Sequence, residues 1–183
     1  MSSILKVSEI QDPTNGNTAV SIDSLGTLNS TSCHFTGILA SSTFTVSRST
    51  DTKVTGMTTH EKDSHNAFDG TTFTVPTGKG GVYLVTATVY FDFSNAGGDG
   101  ELVYMYFYKN GSEAYRAGIQ MNASSAKQIA QYIVPGTTFL TLADGDTLEL
   151  YVRLTDDSAS GTLRLFGSAA YGTRFGAVRI GDA

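Results

Sequence analysis

The alternation of apolar and polar positions is densest between Phe68 and Phe91. Asp69-Gly70 favours a tight turn, because glycine accepts positive φ and aspartate tolerates it. Thr72, Phe73, Thr74 and Val75 then alternate with the two-residue period of a half-buried strand, and Pro76 ends the ladder by removing a donor. After a loose turn over Thr77–Gly81, Val82 to Phe91 is a run of β-branched and aromatic residues without a charge. It is too rich in Val, Thr and Tyr for a helix and too short to span a membrane. It predicts a central strand, buried on one face at least.

The same period recurs on both sides. Phe44–Ser47 opens a β region that continues to about Ile180. Lys53–Asp63 is polar and reads as a surface loop, and Asn95–Gly100 as another. Leu102–Tyr108 is a strong strand closed by Asn110-Gly111, a dipeptide suited to a hairpin turn. Further strands are predicted at Ile129–Val134, stopped by Pro135-Gly136; at Thr138–Leu142, stopped by Asp144-Gly145; and at Thr147–Leu154, stopped by Asp156-Asp157. Gly161–Phe166 and Phe175–Ile180 complete eight to ten strands. Ser124–Gln131 is the only helix-permissive window and reads as a strand margin. Many short strands with turn signals at close intervals make a sandwich or a barrel.

Residues 1–40 are thinner. Ile4, Leu5, Val7 and Ile10 are followed by turn residues at Asp12-Pro13 and Asn15–Asn17, after which Ala19, Val20, Ile22, Leu25 and Leu28 resume the pattern. This predicts one or two hairpins, which are marginal in water alone and must lean on the main domain, a partner or other copies. Asn29–Cys33 and Ala40–Thr43 read as connections. The expected division is therefore 1–40 and 41–183.

Composition narrows the function classes. With 16% charged residues and a net charge of −5, the 183-residue chain has no basic run to neutralise phosphates, which argues against nucleic acid as a partner. The single cysteine, Cys33, has no internal partner for a disulfide. The opening residues lack the basic and apolar parts of a signal peptide, so synthesis in a cytoplasm without a leader is expected.

No enzyme is expected. His34, His60 and His65 lie in polar, turn-rich stretches without an evident orienting partner. Cys33 and His34 would point to opposite faces of a strand. Asp69, Asp99, Asp144, Asp146, Asp156 and Asp157 stand beside turn residues, and turn formation accounts for them. Gly78-Lys79-Gly80-Gly81 lacks the spacing of a phosphate loop.

Five segments together carry a resemblance: Phe44–Val46, Ala67–Val85 (A-F-D-G-T-T-F-T-V-P-T-G-K-G-G-V-Y-L-V), Tyr108–Gly111, Leu142–Val152 (L-A-D-G-D-T-L-E-L-Y-V) and Arg174–Ile180 (R-F-G-A-V-R-I). In this order they resemble the globular domain of complement component 1q, over about residues 44–181. That family shares its ten-stranded antiparallel jelly roll and its homotrimers with tumour necrosis factor ligands. The signal peptide and collagen stalk of its secreted members are missing here. The opening, matched at Ile4–Val7, Ile10–Asp12, Gly16 and Ile22–Gly26, resembles instead the N-terminal segments of tailed-bacteriophage structural proteins, those of cyanophages in particular.

These resemblances imply a virion protein: a homotrimeric fibre, spike or decoration component whose 1–40 segment attaches to other virion proteins or interlocks the trimer. Its jelly-roll head would stand outward, with a host-surface protein or glycan as a further partner. The alternative is a soluble complement 1q-like recognition module outside any virion. Tyr104, Tyr106 and Tyr108 alternate with Val103, Met105 and Phe107, so one face of this strand packs inside the sandwich. The tyrosine face is either half-exposed surface or the threefold seam, and the seam is preferred because large aromatic patches are seldom left to water. No cofactor is expected. Calcium, which members of the family bind near the trimer apex, is carried as a candidate at Asp92, Asp99, Glu101, Asp156 and Asp157, without assigned ligands.

Overall fold

A computed structural model describes residues 9–11, 18–22, 28–30, 32–40, 44–92, 96–97, 101–121, 131–155, 160–161, 163–168 and 170–183. The chain divides into two compact units, Met1–Cys33 and His34–Ala183. In the first, β1 (Glu9–Gln11), β2 (Thr18–Ile22) and β3 (Leu28–Ser30) form an antiparallel three-stranded sheet in sequence order. The hairpins expected from the turn residues are thus present.

The second unit holds β4 (His34–Ile38), β5 (Phe44–Val46), β6 (Thr52–Lys53), β7 (Thr58–Asp63), β8 (Thr72–Thr74), β9 (Gly81–Asp92), β10 (Ala96–Gly97) and β11 (Glu101–Lys109). It continues with β12 (Ser112–Met121), β13 (Gln131–Leu142), β14 (Thr147–Thr155), β15 (Ser160–Gly161), β16 (Leu163–Leu165) and β17 (Arg174–Gly181). One sheet runs β12-β11-β14, with β6 and β8 sharing the far side of β14. The other is centred on β9. It has β13 along one side, and on the other β17, β4 and β7 in succession beside the shorter pair β16 and β5. A β10–β15 ribbon stands apart from both. Pairing between strands is antiparallel throughout, which makes a two-layer all-β sandwich.

The layers meet where the two-residue period said they would. Val103, Met105 and Phe107 from β11 and Leu148, Leu150, Val152 and Leu154 from β14 are all 0% exposed. They face Tyr83, Val85, Val89 and Phe91 of β9, also at 0%. Phe35 of β4 is the hub of an aromatic cluster. It stacks on Phe68 at 4.6 Å and Phe73 at 4.5 Å between centroids, and meets Phe175 edge-on at 5.1 Å. Offset and edge-on pairs of this kind add to the burial itself.

Three expectations are corrected. First, β4 falls within the expected 1–40 segment, yet it is an inner strand of the main sheet, paired to β17 and β7. The polar run before it hid that Phe35, Ile38 and Leu39 belong to the core. Second, Pro135-Gly136 does not end a strand. β13 runs through it for twelve residues, with Pro135 opposite Thr88 and Gly136 opposite Ala87. β13 is an edge strand, where a missing N–H is tolerated, and a Cβ on Gly136 would lie 1.9 Å from Met105 Cε. Third, Lys53–Asp63 is not merely loop, since it holds the end of β6 and all of β7. Ser124 to Ala130 lies outside the described residues.

Candidate functional site

Each sheet turns one face away from the core, and the two faces differ in kind. On the β12-β11-β14 sheet, Tyr104, Tyr106 and Tyr108 do share the outward face of β11. Their centroids are 5.8 and 6.0 Å apart in sequence order. Antiparallel register sets Tyr106 between Arg116 and Tyr151, and Tyr104 between Gly118 and Arg153. Arg116 lies over the Tyr104 and Tyr106 rings at 5.3 and 5.2 Å. Its guanidinium is held in place by both carboxylate oxygens of Glu113, at 2.9 and 2.7 Å. Tyr108 stacks on Tyr151 at 4.0 Å and donates its hydroxyl to Asp51 Oδ2 at 2.6 Å. That bond, with desolvation and the carboxylate's charge, pushes the Tyr108 pKa far up. The Tyr104 ring covers Gly118, where a Cβ would meet it at 2.4 Å.

The tyrosine row is therefore roofed by its own chain. Tyr106 is 2% exposed before any second copy approaches. A seam at Tyr104, Tyr106 and Tyr108 would have to be built around the Arg116 cation–π contact and its supporting ion pair.

The opposite sheet is bare. Its outward positions run in cross-strand rows: Phe139–Leu84–Val178–His34, Thr137–Thr86–Gly176–Thr36, Pro135–Thr88–Arg174 and Ile133–Tyr90. Arg174 is the only permanent charge in these four rows; the next row on the same face, Gln131–Asp92–Arg164, carries one carboxylate and one guanidinium. Phe139 is 64% and Ile133 48% exposed, large values for side chains of this size. β13, which carries both, has its other edge unpaired among the described strands.

Gly176 leaves a gap in the second row, between Thr86 and Thr36. Two adjoining depressions meet there. One, of about 280 Å³, is bordered by Arg174, Thr88 and His60; the other, of about 230 Å³, by Leu84, Val178 and His34. The wall on the β7 side is a bulge in which His60, Glu61 and Lys62 stand opposite Thr36 alone, with Glu61 at φ 64°. The Thr36 hydroxyl donates to the His60 carbonyl and ties the bulge down.

Two of the three histidines thus lie in strands, and His65 in a turn. His34 is in β4 and His60 in β7, both at the rim of the bare face. No apolar alternation marks β7, so sequence reasoning had no signal for this. His65 follows Ser64, whose Oγ lies 2.6 Å from His65 Nδ1. This resembles a nucleophile–base pair, but Ser64 Oγ also accepts from His34 N–H at 3.0 Å and donates to His34 O at 3.1 Å. Asp63 spends its oxygens on the N–H groups of His65 and Phe68, not on the imidazole. The group staples β4 to the turn after β7. Burial and the Lys79 charge hold the His65 pKa below its ordinary value, against a smaller opposing effect of Asp63.

The carboxylates fill turn roles where they are described. Asp69 accepts from the N–H groups of Thr71 and Thr72 at 2.8 and 2.7 Å. Asp144 accepts from those of Gly78, Lys79 and Gly80 at 2.6, 3.1 and 2.7 Å, which holds its pKa down. The glycine-rich loop thus cradles the chain's own carboxylate. Of the calcium candidates, Asp99, Asp156 and Asp157 lie outside the described residues. Asp92 ends β9 beside Gln131 and Arg164, and Glu101 begins β11. No group of three or more His, Cys, Asp or Glu among the described residues is placed to hold a metal.

No protein-family model matches the chain, and no curated protein sequence does. Solved structures do. The chain superposes on Eiger tumour necrosis factor from S. frugiperda with a TM-score of 0.54 at 15% identity, covering 83% of this chain and 94% of that one. The globular domain of zebrafish complement 1qA gives 0.53 at 15% identity, covering 83% and 99%. Murine APRIL gives 0.53 at 14%, covering 81% and 99%. At such identities the likeness establishes the fold and nothing finer: residues of this chain form a jelly roll of the tumour necrosis factor and complement 1q kind.

Proposed function

We propose that this chain is a self-associating structural protein of a bacteriophage particle, a homotrimer whose jelly-roll heads bury the bare face of the β13-β9-β17-β4 sheet against one another. The observation that carries self-association is that face: large apolar side chains among threonines over four rows with Arg174 as their one permanent charge, and an aromatic residue 64% exposed at its margin. A surface with so few charges is matched by a partner equally poor in charge, and another copy of the chain supplies one. The resemblance to families that build homotrimers supports the number three. Jelly-roll folds of this kind serve as binding modules rather than as enzymes, and no catalytic role is assigned. The virion context rests on the resemblance of Ile4–Gly26 to phage structural proteins, with the first unit as the attachment segment and the virion as its location. A host-surface partner for the outward head belongs to the same reading. The alternative is a soluble ligand-recognition module of the same fold.

The test is native mass by light scattering on the full chain, with seam variants. The wild type should run at about three times 19.4 kDa. Leu84→Arg places a charge in the middle of the bare face and should give monomers, because an unpaired charge in a desolvated seam costs several kcal/mol. Tyr104→Glu should leave the mass unchanged. The reverse pattern would move the seam to the tyrosine row, and a monomeric wild type would overturn self-association.

A further inference from the structure

Phe139, 64% exposed, stands at the β13 end of the Phe139–Leu84–Val178 row. Beside this row lies the hollow of about 230 Å³, floored by Gly176 and walled by Leu84, Val178, Thr86 and Thr36, with His34 on its rim. The hollow cannot be filled from its own floor. A Cβ on Gly176 would lie 2.8 Å from the Phe35 carbonyl oxygen, so the close approach of β4 keeps glycine there. Nor does Phe139 fill it within one copy: β9 separates β13 from β17, which sets the two positions about 10 Å apart, and Phe139 does not line the hollow. Resting on the self-association proposed above, we infer that Phe139 of one copy seats in the Gly176 hollow of the next. Each seam then joins the β13 margin of one head to the open face of another.

Size and chemistry agree with this seating. Apolar cavities of roughly 150 Å³ accept a benzene ring, so the hollow has room for a phenyl group. Leu84, Val178 and the two threonines offer that ring methyl groups. Arg174 borders the neighbouring depression and not this one, and the charged Gln131–Asp92–Arg164 row crosses the opposite end of β13. The hollow also restricts how two copies can meet. A twofold contact centred on it would set Gly176 against Gly176 and enclose both hollows empty, and a void in a buried seam is destabilising in proportion to its volume. A displaced contact, with the β13 margin of one copy laid across the hollow of the next, fills it instead. Such a contact uses different surfaces on its two sides, and when it closes it makes a ring.

The experiment is a double-mutant cycle on the full chain, with association constants from concentration-dependent light scattering and circular dichroism to show that the heads stay folded. Phe139→Ala should weaken association at least about a hundredfold. Thr86→Phe fills the hollow from within and should weaken it at least about tenfold by excluding the incoming ring. In Phe139→Ala/Thr86→Phe the second change should cost nothing further, because the ring it would meet is gone. As a second measurement, Phe139→Cys/Val178→Cys is oxidised and run on a denaturing gel. The two positions lie about 10 Å apart within one copy, beyond the reach of a disulfide, so every bridge joins copies. Cys33 is buried and stays in place. Covalent trimers should form in this variant and in neither single variant. Dimers of Phe139→Cys alone would show that the Phe139 side chains meet each other, and would overturn the seating. So would additive losses in the cycle, or a wild-type association constant in Phe139→Ala; each would leave self-association standing. A monomeric wild type would overturn both.

Discussion

Where the head begins has a measurable consequence. Two truncations, 34–183 and 41–183, differ only by β4 and the two residues after it, yet the structure sets them far apart. Phe35, Ile38 and Leu39 are 0, 3 and 3% exposed. At about 1.5–3 kcal/mol for each fully buried side chain, their loss removes roughly 5–9 kcal/mol of burial, an upper figure because unfolded chains are partly compact. The backbone loss adds to it, since β4 lies between β17 and β7 and Leu39 N–H bonds Thr173 O at 2.9 Å. Domains of this size are stable by only about 5–15 kcal/mol in total. Urea unfolding followed by circular dichroism should therefore show 34–183 as a cooperatively folded head. The 41–183 chain should be unfolded or lowered by at least about 4 kcal/mol. Phe35→Ala in the full chain isolates the aromatic hub and should cost about 3–5 kcal/mol. If 41–183 unfolded at the same urea concentration as 34–183, the hub would not carry the stability assigned to it.

The remaining predictions concern acid and assembly. Asp146 is bonded by the Asn110 side chain at 2.7 Å, by Lys109 at 2.9 Å and by the Ala143 N–H at 2.7 Å, which lowers its pKa from 3.8 to about 2. A depressed carboxylate stabilises the fold above its ordinary pKa and loses that contribution as pH falls through the folded value. The melting temperature of the wild type should thus drop between about pH 4 and pH 2, and Asp146→Asn should flatten that limb while lowering stability at neutral pH; parallel curves would refute the linkage. For the virion reading, particles assembled in the presence of 34–183 alone should lack the head, whereas the full chain should be incorporated. Equal incorporation of both would remove the attachment role from the first unit.

The sequence by itself determined the all-β class, the inward set of β11 and β14 and most of the turns. These depend on short-range physics: a period of two along each strand, and turn residues whose backbone or side chain suits one local geometry. Val103, Met105 and Phe107 could be placed inside without knowing what they touch. Tertiary structure decided whatever depended on partners distant in the chain. It decided that Pro135-Gly136 lies within a strand, because an edge position excuses the missing N–H and Met105 occupies the space a side chain would need. It decided that Phe35 belongs to the head, through rings at Phe68, Phe73 and Phe175 that no local pattern connects to it. It also decided which aromatic face is open. Alternation put three tyrosines on one side of β11, but only the cross-strand register brought Arg116, Tyr151 and Asp51 over them. The bare face was hidden in the sequence for the converse reason: its rows are assembled from single residues of four strands, and a gap such as that at Gly176 exists only once Thr86 and Thr36 stand on either side of it.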